Sequence, residues 1–247
     1  MTRSKTPLGI LMFATAVALF ASLDTSAKWL MSMGLAALQV AFVRYAGPLA
    51  ITLLATLPKK GFGVLRSVNP RLQLLRSLCL LGSTGLNFVA LSYLPLTTVT
   101  AIMFASPVIV TLLAVPLLGE KVGLMQFIAI LLGFAGVVIV VAPWNAQLHW
   151  AIFLSLGSCL CTSLYFILSR MLARESTATQ QIWASGIATL VLAPLAWWQW
   201  QPPADGLVVL MMCLIGLFGA SSHSLVTLAH RQADASVLAP VVYLQLL

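Results

Sequence analysis

The chain has 247 residues, of which 61% are hydrophobic and only 7% are charged, and its net charge is +8. A soluble domain carries about 25% charged residues, so this composition excludes a water-soluble protein and indicates an all-α polytopic membrane protein. A net positive charge points to nucleic acid when a protein is soluble. Here the basic residues lie in short loops beside apolar runs, where they report membrane orientation, and we expect no nucleic-acid partner.

Hydropathy predicts eight complete helices and the beginning of a ninth near residue 235. An apolar helix of about 20 residues is long enough to cross the roughly 30 Å of hydrocarbon in a bilayer. Because the connections are short, we expect successive helices to be antiparallel neighbours with no soluble domain between them. The eight predicted helices lie near residues 8–30, 36–57, 72–93, 97–118, 122–142, 150–170, 178–200 and 206–229.

Lysines and arginines concentrate in alternate connections. They precede the first helix and occupy the second, fourth, sixth and eighth connections, whereas the sequence around Ser32, Pro95, Asn145 and Pro203 contains none. Most tryptophans fall on that second side, as expected for an aromatic belt. The pattern predicts a multi-pass protein of the bacterial inner (plasma) membrane with its N-terminus in the cytoplasm.

No cofactor or metal motif is present in the sequence. The four cysteines lie inside apolar segments without a CxxC spacing, so we interpret them as packing thiols. The chain has no P-loop, which argues against ATP as an energy source. We therefore expect no cofactor and no metal.

A weak internal repeat divides the chain. ALSYLPLTTVTA at residues 90–101 aligns with LAHRQADASVLA at residues 228–239. Five helices per repeat place the second copy the other way up in the membrane, an arrangement typical of transporters. We predict a first repeat over residues 8–142 and an incomplete second repeat over 150–247. We expect the chain to be a fragment of a ten-helix protein that stops within helix nine; a naturally degenerate protein is the alternative.

Three charged residues lie inside the predicted first and second helices. Asp24 and Lys28 are one helical turn apart, and Arg44 lies at a similar depth in helix two. Charges in a bilayer need a partner or a water-filled cavity. One interpretation is structural pairing of Asp24 with Lys28, Arg44 or both. The other is a lining of the substrate pathway, where two cations and one anion would favour an anionic or zwitterionic solute.

Polar residues also interrupt helices three and four. Helix three carries Ser83 and Asn87 near glycines, and close helix packing is the main interpretation, with cavity lining as the alternative. Pro107 removes a backbone hydrogen bond and should kink helix four, which would expose carbonyls beside Ser106.

Helices eight and nine contribute His223, Tyr243 and Gln245. A lone membrane histidine is usually hydrogen-bonded between helices, and less often a ligand or a proton relay. Tyr243 and Gln245 would suit a polar cavity wall. Ser83 and His223 could formally make a catalytic dyad, but no second Ser/His element accompanies them, so we predict no catalytic residues and no enzyme.

The most specific pattern runs from Ser106 to Gly136. It contains Ser106-Pro107, then LLGEKVG with Gly119 and Glu120, then a Gly-rich helix. This pattern resembles the EamA branch of the drug/metabolite transporter superfamily. Gly119 is expected to end helix four, and the resemblance implies that Glu120 fixes the turn without touching substrate.

The resemblance also implies a ten-helix bundle of two inverted halves around a central cavity. Some family members with an Asp-xxx-Lys pattern in helix one handle riboflavin or S-adenosylmethionine. We therefore expect a secondary transporter that moves a small organic metabolite by alternating access. Its expected partners are that solute and the lipid bilayer. A homodimer is an alternative to a monomer that the sequence leaves undecided. A non-transporting membrane subunit is the competing hypothesis.

Overall fold

The computed structural model describes residues 6–141 and 149–246, which form helices and short connections. Seven of the eight predicted helices are present as single α-helices with boundaries shifted by a few residues, and the fourth is divided into two. A 3-10 helix over Gly61–Leu65 follows α2, and another over Ala239–Leu246 follows α10. The α-helices are α1 (Thr6–Ser32), α2 (Ala37–Lys60), α3 (Pro70–Leu91), α4 (Leu96–Met103), α5 (Ser106–Leu118), α6 (Leu124–Val141), α7 (Ile152–Met171), α8 (Thr177–Trp198), α9 (Gly206–Gln232) and α10 (Ala235–Leu238).

Seven segments of the described chain are long and apolar enough to cross a membrane. Their outward faces carry exposed leucines, valines and phenylalanines, which a soluble protein would bury. The seven segments are Thr6–Ser32, Ala37–Leu65, Pro70–Leu91, Thr97–Leu118, Ile152–Met171, Thr177–Trp198 and Gly206–Gln232.

The predicted fourth helix is broken into α4 and α5. The first part ends with the Phe104 N–H bonded to the Thr100 carbonyl, and α5 restarts at Ser106 with Pro107 in its first turn. Proline has no N–H to donate and is tolerated in the first turn of a helix, where that donor is not needed. The helix is thus interrupted just before Pro107, where the sequence predicts a kink, and Pro107 itself begins the second part.

Local signals fix several helix ends. The side chains of Asn69, Ser176 and Asp205 accept hydrogen bonds from the first turns of α3, α8 and α9. Gly119 ends α5 in the left-handed conformation, with φ 67°, as predicted. That conformation turns the chain sharply and presents Glu120 to the neighbouring helices.

The main helix pairs are α1 with α9, α3 with α7, and α2 with α8. At the crossing of α2 and α9, Gly47 and Gly216 face each other so closely that a Cβ on Gly47 would lie 2.5 Å from the Gly216 Cα. Small residues allow such backbone approach between membrane helices. This contact places α9 against α2.

The two ends of the bundle differ in charge. At one end, called here the basic end, the start of α1 and the α2–α3, α5–α6 and α7–α8 connections come together with the end of α9. Glu175, between α7 and α8, accepts a hydrogen bond from Ser67, between α2 and α3. At the opposite end, Gln39 at the start of α2 donates to the Gln201 carbonyl at 2.7 Å. The alternation that the charge pattern predicted is thus present in the fold.

Candidate functional site

An ion pair joins α1 to α2 in the half of the bundle that lies away from the basic end. Arg44 Nη1 lies 2.9 Å from Asp24 Oδ1. Asp24 precedes the end of α1 by eight residues, or about 12 Å. Its side chain is 49% exposed and that of Arg44 is 20% exposed. The predicted pairing of Asp24 with Arg44 is confirmed, and Lys28 is exposed one turn further along α1.

A second cation, Arg76, is buried in the half of the bundle nearer the basic end. It lies six residues inside α3, and only 1% of its surface is exposed. Its guanidinium donates to Ser169 Oγ at 2.7 Å, to the Gln180 carbonyl at 3.2 Å and to Tyr165 Oη at 3.1 Å. It also lies over the Tyr165 ring, 4.6 Å from the centroid.

All of these Arg76 partners are neutral. Within residues 6–141 and 149–246, no carboxylate forms an ion pair with Arg76. Burying a charge without an opposite charge is costly, and in membrane proteins such charges usually serve a pathway. Arg76 is therefore a candidate for binding an anionic group.

His223 continues this polar chain into α9. Its Nδ1 is hydrogen-bonded to Tyr165 Oη at 2.9 Å, and its ring meets Phe20 of α1 edge-on at 4.9 Å between centroids. The interhelical hydrogen bond expected of a membrane histidine is confirmed. Arg76, Tyr165 and His223 thus connect α3, α7 and α9 through one tyrosine hydroxyl, and we call these three residues the central chain.

Ser83 belongs to helix packing. Its hydroxyl is paired with Thr162 Oγ1 at 2.8 Å, and its carbonyl accepts from Ser158 at 2.8 Å. Because Ser83 and His223 each bond to a different residue, the formal dyad is not formed. Asn87, one turn along α3, has a buried side-chain oxygen with no hydrogen-bond partner.

The remaining predicted site residues lie around α5 and the chain after α10. Ser106, 2% exposed, is hydrogen-bonded to Ser163 of α7 at 3.0 Å, and Pro107 beside it is also buried. Tyr243 donates to the Ile130 carbonyl at 3.4 Å. Gln245 falls in the second 3-10 helix, but its side chain lies outside the described part of the chain.

Glu120 caps a helix as well as following a turn. Its Oε1 accepts from the Ala235 N–H at 2.9 Å, and its Oε2 accepts from the Ser236 N–H at 3.0 Å. Arg170 Nε lies 3.7 Å away and the same guanidinium pairs with Asp234. These contacts support a structural role for Glu120 and place no metal ligands together; in the described ranges, no group of three His, Cys, Asp or Glu could hold an ion.

Comparison with known sequences decides the family. Residues 7–142 and 149–247 both match the model of the EamA-like transporter family. The chain belongs to this family. As an EamA-like protein with several apolar spanning helices, it is a multi-pass protein of the bacterial plasma membrane.

Named relatives of this EamA-like chain include transporters of two metabolites. A riboflavin transporter of Rhizobium johnstonii is 27% identical over 241 residues, covering 96% of this chain and 79% of the relative. A riboflavin transporter of Vibrio cholerae is 28% identical, covering 94% and 79%. An S-adenosylmethionine uptake transporter of Rickettsia prowazekii is 28% identical, covering 90% and 75%.

A solved crystal structure has the same fold. It aligns with a TM-score of 0.81 and 19% sequence identity, covering 97% of this chain and 84% of the other. At this identity the likeness concerns the fold of the EamA-like bundle alone.

Sequence reasoning missed two members of the central chain. Neither Arg76 nor Tyr165 is among the site residues predicted from the sequence. One available signal was depth, because Arg76 lies about 9 Å beyond the start of α3 at Pro70, further than a loop cation needs to be. Another was the Tyr165–Ser169 spacing of one turn, which puts two hydroxyls on the same face of α7.

Proposed function

We propose that this protein carries a small organic metabolite across the plasma membrane by alternating access, with its basic end in the cytoplasm. The observation that carries the proposal is the buried Arg76, held by neutral groups only and linked through Tyr165 to His223. Charged side chains inside membrane segments pair with opposite charges or backbone carbonyls, and they mark substrate pathways; Arg76 bonds to one carbonyl and two hydroxyls and to no carboxylate in the described contacts. A cation that binds a substrate anion would be oriented by neutral groups, as Arg76 is by two hydroxyls and one carbonyl, and would keep its charge available.

The charges of the interior favour an anionic or zwitterionic solute. Arg44 and Arg76 lie inside the bundle and Lys28 is exposed one turn from Asp24, whereas in the described ion pairs Asp24 is the one carboxylate that pairs with any of these three cations, namely Arg44. A substrate carboxylate or phosphate would restore balance near Arg76, and a substrate ammonium could approach the half-exposed Asp24. Asn87, whose buried oxygen is unsatisfied, adds an acceptor for a substrate N–H or O–H.

The aromatic rings beside the central chain suit a flat substrate. Phe20 and Tyr165 both meet the His223 ring edge-on, with centroids 4.9 Å and 5.9 Å away, and aromatic faces stack favourably on other rings. Riboflavin and S-adenosylmethionine, the compounds named for the relatives, both contain a heteroaromatic ring. We therefore place flavins, S-adenosylmethionine and other heteroaromatic zwitterions first among the candidate substrates.

The central chain also favours a carrier over an enzyme. A hydrolytic site needs a nucleophile bonded to its base, and the hydroxyl bonded to His223 belongs to Tyr165, whose oxygen also accepts a hydrogen bond from the Arg76 guanidinium. The relatives that we compared are named as transporters, which agrees with this proposal.

Ligand-dependent thermal unfolding of the purified protein in detergent tests the proposal. The panel contains riboflavin, S-adenosylmethionine, amino acids, nucleosides and carboxylates. A ligand at about 100 times its Kd should raise the free energy of unfolding by roughly 2.7 kcal/mol. We expect one chemical class to stabilise the wild type and to lose its effect in Arg76→Gln. The matched control is Arg71→Gln, which neutralises an exposed arginine five residues earlier on α3. Stabilisation by no compound of the panel would count against transport of these solutes.

A further inference from the structure

A cavity of about 310 Å³ lies at the basic end, away from the central chain. It lies between the segment that joins α2 to α3 and the turn that joins α7 to α8. Its polar lining includes Lys60, Arg66, Arg174, Glu175 and Ser176. None of these lining residues belongs to the proposed substrate site.

The cavity carries a net positive charge. Lys60, Arg66 and Arg174 supply three positive charges and Glu175 supplies one negative charge, so the lining has a net charge of +3 − 1 = +2. The three cations are exposed, and within the described ranges none of them is in an ion pair. They are thus free to bind an anion.

The single carboxylate in the lining already accepts hydrogen bonds from other groups. Glu175 accepts from the Ser67 hydroxyl, from the Asn69 N–H at 3.0 Å and from the Gln73 amide at 2.9 Å. These donors hold the carboxylate toward the start of α3. It therefore does not neutralise the three cations through a direct ion pair.

The walls of the cavity are fixed by hydrogen bonds between the two connections. Thr179 of α8 donates to the Val64 carbonyl at 2.9 Å, and Trp183 donates to the Leu65 carbonyl at 3.0 Å. Both acceptors belong to the 3-10 helix Gly61–Leu65 that follows α2. These hydrogen bonds therefore fix the two walls of the cavity relative to each other.

Exposed apolar side chains flank the same cavity. Phe62 is 78% exposed and Val68 is 92% exposed. A segment long and apolar enough to span a membrane ends at Leu65, so we expect these side chains to lie near the level where hydrocarbon gives way to headgroups. An indole that donates at this level, as Trp183 does, is typical of the membrane interface.

We infer that this cavity binds the phosphate of an anionic phospholipid headgroup from the leaflet at the basic end. The cations match the phosphate, and the apolar flank of Phe62 and Val68 accommodates the beginning of the acyl chains. Basic pockets between membrane helices bind anionic headgroups by the same combination of contacts. A soluble phosphate shares the charge but gains nothing from the apolar flank.

The test measures thermal stability of the full chain in detergent against increasing phosphatidylglycerol, phosphatidylcholine or inorganic phosphate. Phosphatidylglycerol should stabilise the wild type at concentrations where the other two have no effect. In Arg66→Gln/Arg174→Gln its apparent affinity should fall about 30-fold, which corresponds to about 2 kcal/mol for two cations. The control Arg71→Gln/Lys121→Gln removes the same charge from exposed positions outside the cavity and should keep the wild-type affinity.

Three results would overturn the inference. These are equal stabilisation by phosphatidylcholine, a response to inorganic phosphate as large as that to the lipid, and equal loss of affinity in the control. If the double variant fails to fold, Lys60→Gln serves instead. It removes one exposed cation, and we expect an affinity about 5-fold weaker than that of the wild type; an unchanged affinity in that variant would also contradict the inference.

Discussion

Glu120 caps the helix that begins beside Ser236, 116 residues further along the chain. Its Oε2 accepts both the backbone N–H of Ser236 at 3.0 Å and the Ser236 hydroxyl at 2.7 Å. The carboxylate therefore joins the end of α5 to the start of α10, across the two stretches that match the family. A residue that the sequence assigns to a turn is in fact a bridge between distant parts of the bundle.

Loss of this cap should destabilise the protein. Glu120 is largely buried and meets unpaired N–H groups at a helix start, where a negative charge is favourable. We expect Glu120→Ala to lower the free energy of unfolding by about 1–2 kcal/mol, measured by thermal or chemical unfolding in detergent. Lys121→Gln, at the adjacent exposed position, is the control and should be neutral. A neutral Glu120→Ala would show that the cap is not needed.

The contact between α2 and α9 should not tolerate a methyl group. A Cβ on Gly47 would lie 2.5 Å from the Gly216 Cα, so Gly47→Ala must push the two helices apart. We expect a loss of about 1–3 kcal/mol. Gly85→Ala is the matched control, because its Cβ would meet nothing within 4 Å, and it should be neutral or stabilise by up to about 1 kcal/mol. Equal effects of the two variants would contradict the close approach.

Glu175 should make stability depend on acidic pH. Burial raises the pKa of its carboxyl, but hydrogen bonds from Ser67, Gln73 and the Asn69 N–H outweigh burial and lower the pKa below its ordinary value of 4.5. A carboxyl with a lowered pKa stabilises the fold above that ordinary value. The stabilisation is lost as the pH falls below 4.5 and through the lower pKa of the folded state.

Unfolding of the wild type and of Glu175→Gln between pH 7 and pH 3 checks this expectation. The variant should be less stable at neutral pH and should lose less stability on acidification, so the two curves converge. Parallel curves across this range would exclude Glu175 as a source of the pH dependence.

Tyr165 should couple Arg76 to His223. Its hydroxyl bonds to both residues, and Tyr165→Phe removes this hydroxyl while keeping the ring that faces the guanidinium. We expect weaker substrate binding, by about 10-fold, because two buried polar groups lose a partner. Tyr93→Phe, at an exposed tyrosine, is the control. Substrate titrations monitored by thermal stability measure the change, and an unchanged affinity in Tyr165→Phe would show that the hydroxyl only supports packing.

Features that depend on local sequence were predictable here. Apolar length places the spanning helices, Pro107 places the break before α5, and Gly119 places the end of α5. The Asp24–Arg44 pair was also within reach, because α1 and α2 are consecutive helices and the two charges lie at matching depths. In each case the cause lies within one helix or between neighbours along the chain.

Features that depend on distant packing were not predictable. The sequence does not say that α3 packs on α7, so the meeting of Arg76 with Tyr165 was hidden, as was the meeting of Glu120 with Ser236. The same limit explains Ser83, whose hydroxyl is paired with Thr162 of α7. Close helix packing was the main interpretation of Ser83, and the observed contact agrees with it, but the sequence did not indicate Thr162 as the partner.

Uptake by proteoliposomes tests the central claim that Arg76 serves the substrate. The protein is reconstituted as wild type, Arg76→Lys, Arg76→Gln and Arg71→Gln, and uptake of riboflavin and of S-adenosylmethionine is measured after confirming that each variant is folded and monodisperse. We predict saturable uptake of at least one compound by the wild type and by Arg71→Gln, partial uptake by Arg76→Lys, and at least a 10-fold loss in Arg76→Gln. A folded Arg76→Gln variant that transports as well as the wild type would contradict the account, because the buried cation would then have no part in transport.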